Sequence, residues 1–98
     1  MAEIMNDKIA LRLRIYGKVQ GVGYRNWLLG EAQARGLYGF VRNRVDGTVE
    51  ALLIGPPDSV EACVSACHDG PNFAEVTKID QQPARGLAPH YFEIKPTV

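Results

Sequence analysis

The chain has 98 residues, enough for one compact domain and too few for two. A hydrophobic content of 46% suits an ordinary globular core, and no apolar run reaches the roughly 18 residues that a membrane-spanning helix needs. Eleven basic residues balance eleven acidic ones, which argues against a general nucleic-acid binder, whose domain normally carries a strong basic excess.

Met1 to Lys8 contains Glu3 and Asp7 and lacks the basic-then-apolar pattern of a secretory leader, so a cytoplasmic location is expected. From residue 8 to 16 the chain alternates. Ile9, Leu11, Leu13 and Ile15 fall on one face and Lys8, Arg12 and Arg14 on the other, the period-two pattern of a half-buried strand.

Gly17-Lys18-Val19-Gln20-Gly21-Val22-Gly23-Tyr24-Arg25 then joins this strand to a helical pattern. Glycines let the backbone take positive φ and approach a ligand closely, and free N–H groups at a helix start converge on one spot. Arg25 adds a planar fork of donors suited to phosphate oxygens. The turn is a candidate anion cradle.

Tyr24, Leu28 and Ala32 recur at a spacing of four, which predicts a helix over 24–35 stopped by Gly36. Leu37 to Asn43 and Thr48 to Ile54 flank an Asp46-Gly47 turn and read as an antiparallel hairpin. After Gly55-Pro56-Pro57, Asp58 or Ser59 is expected to cap a second helix, whose core stripe is Val60, Cys63, Val64 and Cys67. Gly70-Pro71-Asn72 ends it. Phe73 to Gln81 reads as a strand in which Ile79 is out of phase with Ala74 and Val76, suggesting a bulge or twist. Pro83 to Pro89 is expected to be a loop, Tyr91 to Lys95 a short last strand, and the remainder a fraying tail.

The order β-α-β-β-α-β plus a short strand predicts an α+β protein, a two-layer ferredoxin-like α/β sandwich with both helices on one face of an antiparallel sheet. Residues 1–98 are expected to form a single domain with its core at about 8–95. Eight of the eleven basic residues lie between Lys8 and Arg44, with Glu31 the single acid among them. A positive field around the glycine turn is expected, although solvated strand positions account equally well for Arg12 and Arg14.

The glycine turn and a second block, Gly39-Phe40-Val41-Arg42-Asn43-Arg44-Val45-Asp46-Gly47-Thr48-Val49-Glu50, together resemble the two signature blocks of the acylphosphatases. In element order the similarity runs over about residues 8–95. Beyond the second block it thins: Phe73-Ala74-Glu75 stands where the family often has a basic residue, and Lys95-Pro96-Thr97-Val98 replaces the usual aromatic end. The resemblance implies hydrolysis of the carboxyl–phosphate bond of small-molecule acyl phosphates, with no metal and no organic cofactor. It puts the phosphate-binding arginine at Arg25, the water-positioning asparagine at Asn43, and the phosphate cradle at Gln20, Gly21, Val22, Gly23 and Tyr24.

These residue types suit that reaction. The leaving carboxylate has a conjugate acid of pKa about 4–5 and needs little protonation. A loose phosphoryl-transfer transition state mainly requires its oxygens held and their charge compensated. An amide such as that of Asn43 both donates and accepts, so it can orient a water without acting as a base.

Taken singly, each residue has a plainer reading. Most glycine-rich turns are tight connections, Arg25 alone suits an exposed helix position, and Asn43 alone suits a turn. Cys63 and Cys67 are expected as buried thiols in a reducing compartment, and with His68 they make a poor metal set. His90 is expected in a loop, and Trp27 as partial core rather than acyl-side lining. A monomer without nucleic-acid or membrane partners is the default expectation. The rival functional reading is a non-catalytic anion-sensing module on the same fold. An RNA-binding sheet is disfavoured because the first strand offers Arg12 and Arg14 without paired stacking aromatics.

Overall fold

The computed structural model describes residues 8–85 and 89–98. In chain order it runs β1 (Ile9–Lys18), α1 (Tyr24–Ala34), β2 (Tyr38–Asn43), β3 (Val49–Gly55), α2 (Pro57–Asp69), β4 (Glu75–Pro83) and β5 (Phe92–Ile94). The ferredoxin-like sandwich expected from the sequence is present. The strands form one sheet in the order β4-β1-β3-β2-β5.

Alternation fixes which face of the sheet is covered. Leu13 and Ile15 of β1, Val41 of β2, and Val49, Ala51 and Leu53 of β3 are fully buried against Leu28 and Ala32 of α1 and Val60, Cys63 and Cys67 of α2. Each such Val, Leu or Ile side chain stabilises the fold by about 1.5–3 kcal/mol through burial. Both cysteines are free buried thiols. The opposite face carries Arg12 and Arg14 of β1, Arg42 of β2 and Glu50 of β3.

α1 stops as expected. Gly36 takes φ 69°, while the Gly36 and Leu37 N–H groups donate back to Gln33 and Ala32 at 3.1 and 2.9 Å, satisfying the last carbonyls. α2 starts differently from expectation. Pro56 is its N-cap residue and Pro57 its first residue, and neither Asp58 nor Ser59 makes a side-chain cap bond. A proline there has a preset φ and no N–H to leave unpaired, so the helix begins ahead of both candidate caps, and Asp58 sits in its first turn.

β4 runs two residues later than the strand expected over 73–81, and the phase break at Ile79 has a local cause. Tyr16 faces Lys78, but Gly17 faces Val76, so Thr77 is extra. The bulge turns both Val76 and Ile79 toward the core. It also requires a glycine opposite. Gly17 has φ 123°, and a Cβ there would lie 2.1 Å from the Glu75 carbonyl oxygen. Pro83 ends β4 on the sheet edge, where a missing ladder donor is tolerated. The loop expected over 83–89 lies partly outside the described residues, as do residues 1–7 of the leader-free reading.

The sheet is mixed rather than wholly antiparallel, because β5 pairs parallel with β2, Phe92 facing Gly39 and Ile94 facing Val41. Register explains it. Pro83 ends β4 opposite Leu11, near the start of β1, and β2 starts at that same end, Tyr38 facing Ile54 and Ile54 facing Ala10. A chain crossing that end of the sheet enters the free edge of β2 running in the direction of β2. The tail does not fray. The Val45 N–H donates to the Val98 carbonyl at 2.9 Å and the Val98 N–H to the Asn43 carbonyl at 3.3 Å, extending the β5 edge alongside the hairpin.

Candidate active site

The ends of β1, β2 and β5 meet at one end of the sheet. Between them opens a cleft of about 230 Å³. One wall comes from the glycine turn and the first helical turn, namely Gly21, Gly23, Arg25 and Asn26, and Asn43 comes from the last position of β2. Val19, Tyr24 and Ile94 supply the apolar lining.

The turn adopts its course because it has glycines. Gly21 and Gly23 have φ 75° and 82°, no other type of residue among those described has positive φ, and a side chain there would cost about 1–2 kcal/mol in backbone strain. Gly23 is the N-cap of α1 and brings no capping side chain, and the first turn contains no acid. The helical ladder opens with the Trp27 N–H donating to the Gly23 carbonyl at 3.0 Å, so the amides of Tyr24, Arg25 and Asn26 precede it. A helix start of this kind favours negative charge.

Arg25 is half-buried at the cleft and makes no ion pair or side-chain hydrogen bond among the described residues. The other arginines of the basic half are committed elsewhere. On the open face of the sheet Glu50 accepts from Arg12 at 2.6 Å, Arg42 at 2.9 Å and Arg44 at 2.9 Å, and Arg14 pairs with Asp46 at 3.1 Å. The broad positive field expected around the turn is therefore partly neutralised within the sheet. Burial pushes the Glu50 carboxyl up, but the hydrogen bonds from Arg42, Arg12 and Arg44 outweigh it and hold the pKa at about 2.

Asn43 keeps a buried Oδ1 that has no hydrogen-bond partner. Buried polar atoms are nearly always satisfied, so an orphan on a cleft residue asks for a ligand or water.

Two members of the expected cradle do not line the cleft with their side chains. Gln20 reaches away to the β2–β3 hairpin, its Nε2 donating to the Arg44 carbonyl at 2.8 Å and the Thr48 carbonyl at 2.9 Å. Val22 packs against the core. The Tyr24 ring is 1% exposed, and its hydroxyl donates to the Cys67 carbonyl at 2.6 Å. Desolvation, then the surroundings of Cys67, push its pKa far up, so it remains a neutral donor. Asn26 is the polar cleft residue that sequence reasoning missed. Its signal was its place beside Arg25 in the first helical turn, within reach of the cradle.

Trp27 stands edge-on to Tyr24, ring centroids 5.2 Å apart, and packs against the core. His90 stacks on Tyr38, at the far end of β2 from Asn43. Among the described residues no three His, Cys, Asp or Glu side chains cluster to hold a metal, and no helix is long and apolar enough to cross a membrane.

An uncapped helix start, a guanidinium without a partner among the described residues and an orphaned amide oxygen belong to residues lining one cleft of a ferredoxin-like α/β sandwich, an arrangement suited to an anion. Fold alone does not decide between binding and turnover. Relatives decide it. The acylphosphatase family model matches residues 11–94. An acylphosphatase of Rhizorhabdus wittichii is 45% identical over 94% of this chain and 93% of its own, and one of Azorhizobium caulinodans is 55% identical over 72% and 76%. The crystal structure of acylphosphatase from Bacillus subtilis superposes with a TM-score of 0.85 at 40% identity, covering 89% of this chain and 98% of that one. The chain belongs to the acylphosphatase family. It is a hydrolase of acid anhydrides, and its substrate is a small-molecule acyl phosphate.

Proposed function

We propose that Arg25 and the backbone N–H groups of the Gln20–Arg25 cradle hold the phosphoryl group while Asn43 orients the attacking water. The observation that carries this reading is the partnerless, buried Oδ1 of Asn43, a residue that lines the same cleft as Arg25 and the free helix start. Arg25 supplies a charge-assisted fork to the equatorial oxygens, and the amides compensate the charge that remains there as the bond to the leaving oxygen lengthens. Asn43 accepts one hydrogen of the water, leaving a lone pair directed at phosphorus.

Water adds to phosphorus, the bond from phosphorus to the carboxyl oxygen breaks, and that oxygen leaves with the bonding pair as carboxylate. The water's proton passes to a phosphoryl oxygen, giving inorganic phosphate. With so good a leaving group no side-chain acid is required, and no metal or cofactor enters the scheme. A sensor would gain nothing from a buried amide oxygen held without a partner, which favours turnover. The chain is taken to work as one domain, as a cytoplasmic monomer, without nucleic acid or membrane.

Hydrolysis of benzoyl phosphate in EDTA tests this. The expected result is turnover in the wild type, with kcat lowered in Asn43→Ala while inorganic phosphate still inhibits. A folded Asn43→Ala protein with wild-type kcat removes that residue from the mechanism. A folded wild type that binds phosphate and hydrolyses nothing makes the site a sensor.

A further inference from the structure

We infer that Gln20 is a positioning residue that sets the distance between the phosphate cradle and the water-orienting Asn43; this rests on the reading of the site given above. Gln20 stands between Val19 and Gly21, both of which line the cleft, so it belongs to the segment that forms one wall. The side chain leaves that wall and spans 24 and 28 residues of sequence to the hairpin. Both amide hydrogens are used, one on the Arg44 carbonyl at 2.8 Å and one on the Thr48 carbonyl at 2.9 Å.

Those two carbonyls bracket Asn43. Arg44 follows it directly, and Thr48 precedes Val49, its partner across the hairpin. The Arg44 N–H also donates to the Thr48 carbonyl at 2.9 Å, so the Gln20 amide closes onto the last rung of the hairpin ladder. Asn43 has no partner of its own at Oδ1 to hold it toward the cradle. Gln20 is thus a direct hydrogen-bonded tie between the segment holding the phosphoryl group and the segment holding the water. Both bonds are partly buried and little weakened by competing water.

Substitution of Gln20 should therefore loosen the alignment of water and phosphorus while leaving the N–H groups and Arg25 in place. Gln20→Met keeps the length and removes the donors. Gln20→Asn keeps the amide and is one methylene too short for both carbonyls. A misplacement of order 1 Å in a reacting pair costs on the order of 100-fold, so kcat for benzoyl phosphate should fall about 10- to 100-fold, with the inhibition constant of inorganic phosphate held within about twofold. In Gln20→Glu the carboxylate repels both carbonyls, and kcat should recover as pH falls below about 5, where the neutral acid again donates one bond.

The decisive measurement is the cycle of Gln20→Met and Asn43→Ala, with kcat, phosphate inhibition and melting temperature followed for all four proteins. If Gln20 acts through Asn43, Gln20→Met lowers kcat in the wild type and adds almost nothing in the Asn43→Ala background. Equal losses in both backgrounds overturn the inference while leaving Asn43 in its role. So does wild-type kcat in a Gln20→Met or Gln20→Asn protein that has merely lost thermal stability. Wild-type kcat in Asn43→Ala alone overturns instead the underlying reading of the site. If Gln20→Met does not fold, the same cycle is run with Gln20→Asn, and an absent low-pH recovery in folded Gln20→Glu counts against the tie.

Discussion

The Tyr24 hydroxyl donates to the Cys67 carbonyl at 2.6 Å, tying the first residue of α1 to the last turns of α2. Sequence alone put Tyr24 in the cradle; the residue lines the cleft, but its ring is buried and its hydroxyl points to α2. Gly70 lies against the ring, where a Cβ would come within 2.9 Å of it. Tyr24→Phe keeps the ring and strands a buried carbonyl. The expected loss is about 1–3 kcal/mol of stability, read by urea denaturation.

Glu50 should make stability acid-sensitive in a defined window. Its carboxyl has a pKa of about 2 when folded, against 4.5 as its ordinary value. The unfolded chain therefore binds this proton first as pH drops, and the stabilisation present above about pH 4.5 is lost as pH falls toward 2. Allowing for the solvent reached by the three arginines, the loss is on the order of 2–3 kcal/mol. Glu50→Gln is expected to be less stable at pH 7 and to show a flatter denaturation profile between those pH values. An unchanged slope in the variant would mean that other carboxylates carry the acid response.

Two glycines should respond unequally to the same methyl. A Cβ on Gly39 would sit 1.8 Å from the Leu52 carbonyl oxygen, at φ 131°, inside a sheet paired on both sides. Neither strand can yield without losing its ladder, so Gly39→Ala should cost more than about 3 kcal/mol. At Gly23 no atom lies within 4 Å of the added carbon, leaving only the strain of φ 82°. Gly23→Ala should cost about 1–2 kcal/mol. Thermal denaturation of the pair separates crowding from backbone strain.

These contrasts show what local pattern encodes. Alternation along β1, the stripe on α2, Asp46-Gly47 and the Gly36 stop were all legible, because each depends on neighbours a few residues away. The two signature blocks made Arg25 and Asn43 candidates through their resemblance to the acylphosphatases. Long-range pairings were not legible. Glu50 stands in an otherwise apolar strand, and its partners Arg12, Arg42 and Arg44 come from two other parts of the chain. The direction of β5 follows from where β4 ends, and the ordered tail from the open edge of the hairpin. Gln20 reads as one more cradle residue until its side chain is seen reaching Arg44 and Thr48. The expected cap on α2 failed because Pro57 begins the helix before Asp58 or Ser59 can serve.

Arg25 separates charge from geometry in the proposed mechanism. It has no acidic partner among the described residues, so substituting it breaks no ion pair there, and an effect on turnover reports on the anion. Arg25→Ala removes charge and fork together and should raise KM sharply and nearly abolish kcat. Arg25→Lys keeps the charge but replaces planar, paired donors with a single hydrated ammonium. If the phosphoryl oxygens are gripped by the fork, Arg25→Lys should lose about 10- to 100-fold in kcat/KM, equivalent to about 1.4–2.8 kcal/mol, and stay closer to Arg25→Ala than to the wild type. If charge alone matters, Arg25→Lys should recover most of the activity, with a KM that rises with ionic strength as exposed charges are screened. Steady-state kinetics of both variants at two salt concentrations distinguishes the cases, and wild-type kinetics in Arg25→Ala would take the residue out of the phosphate site.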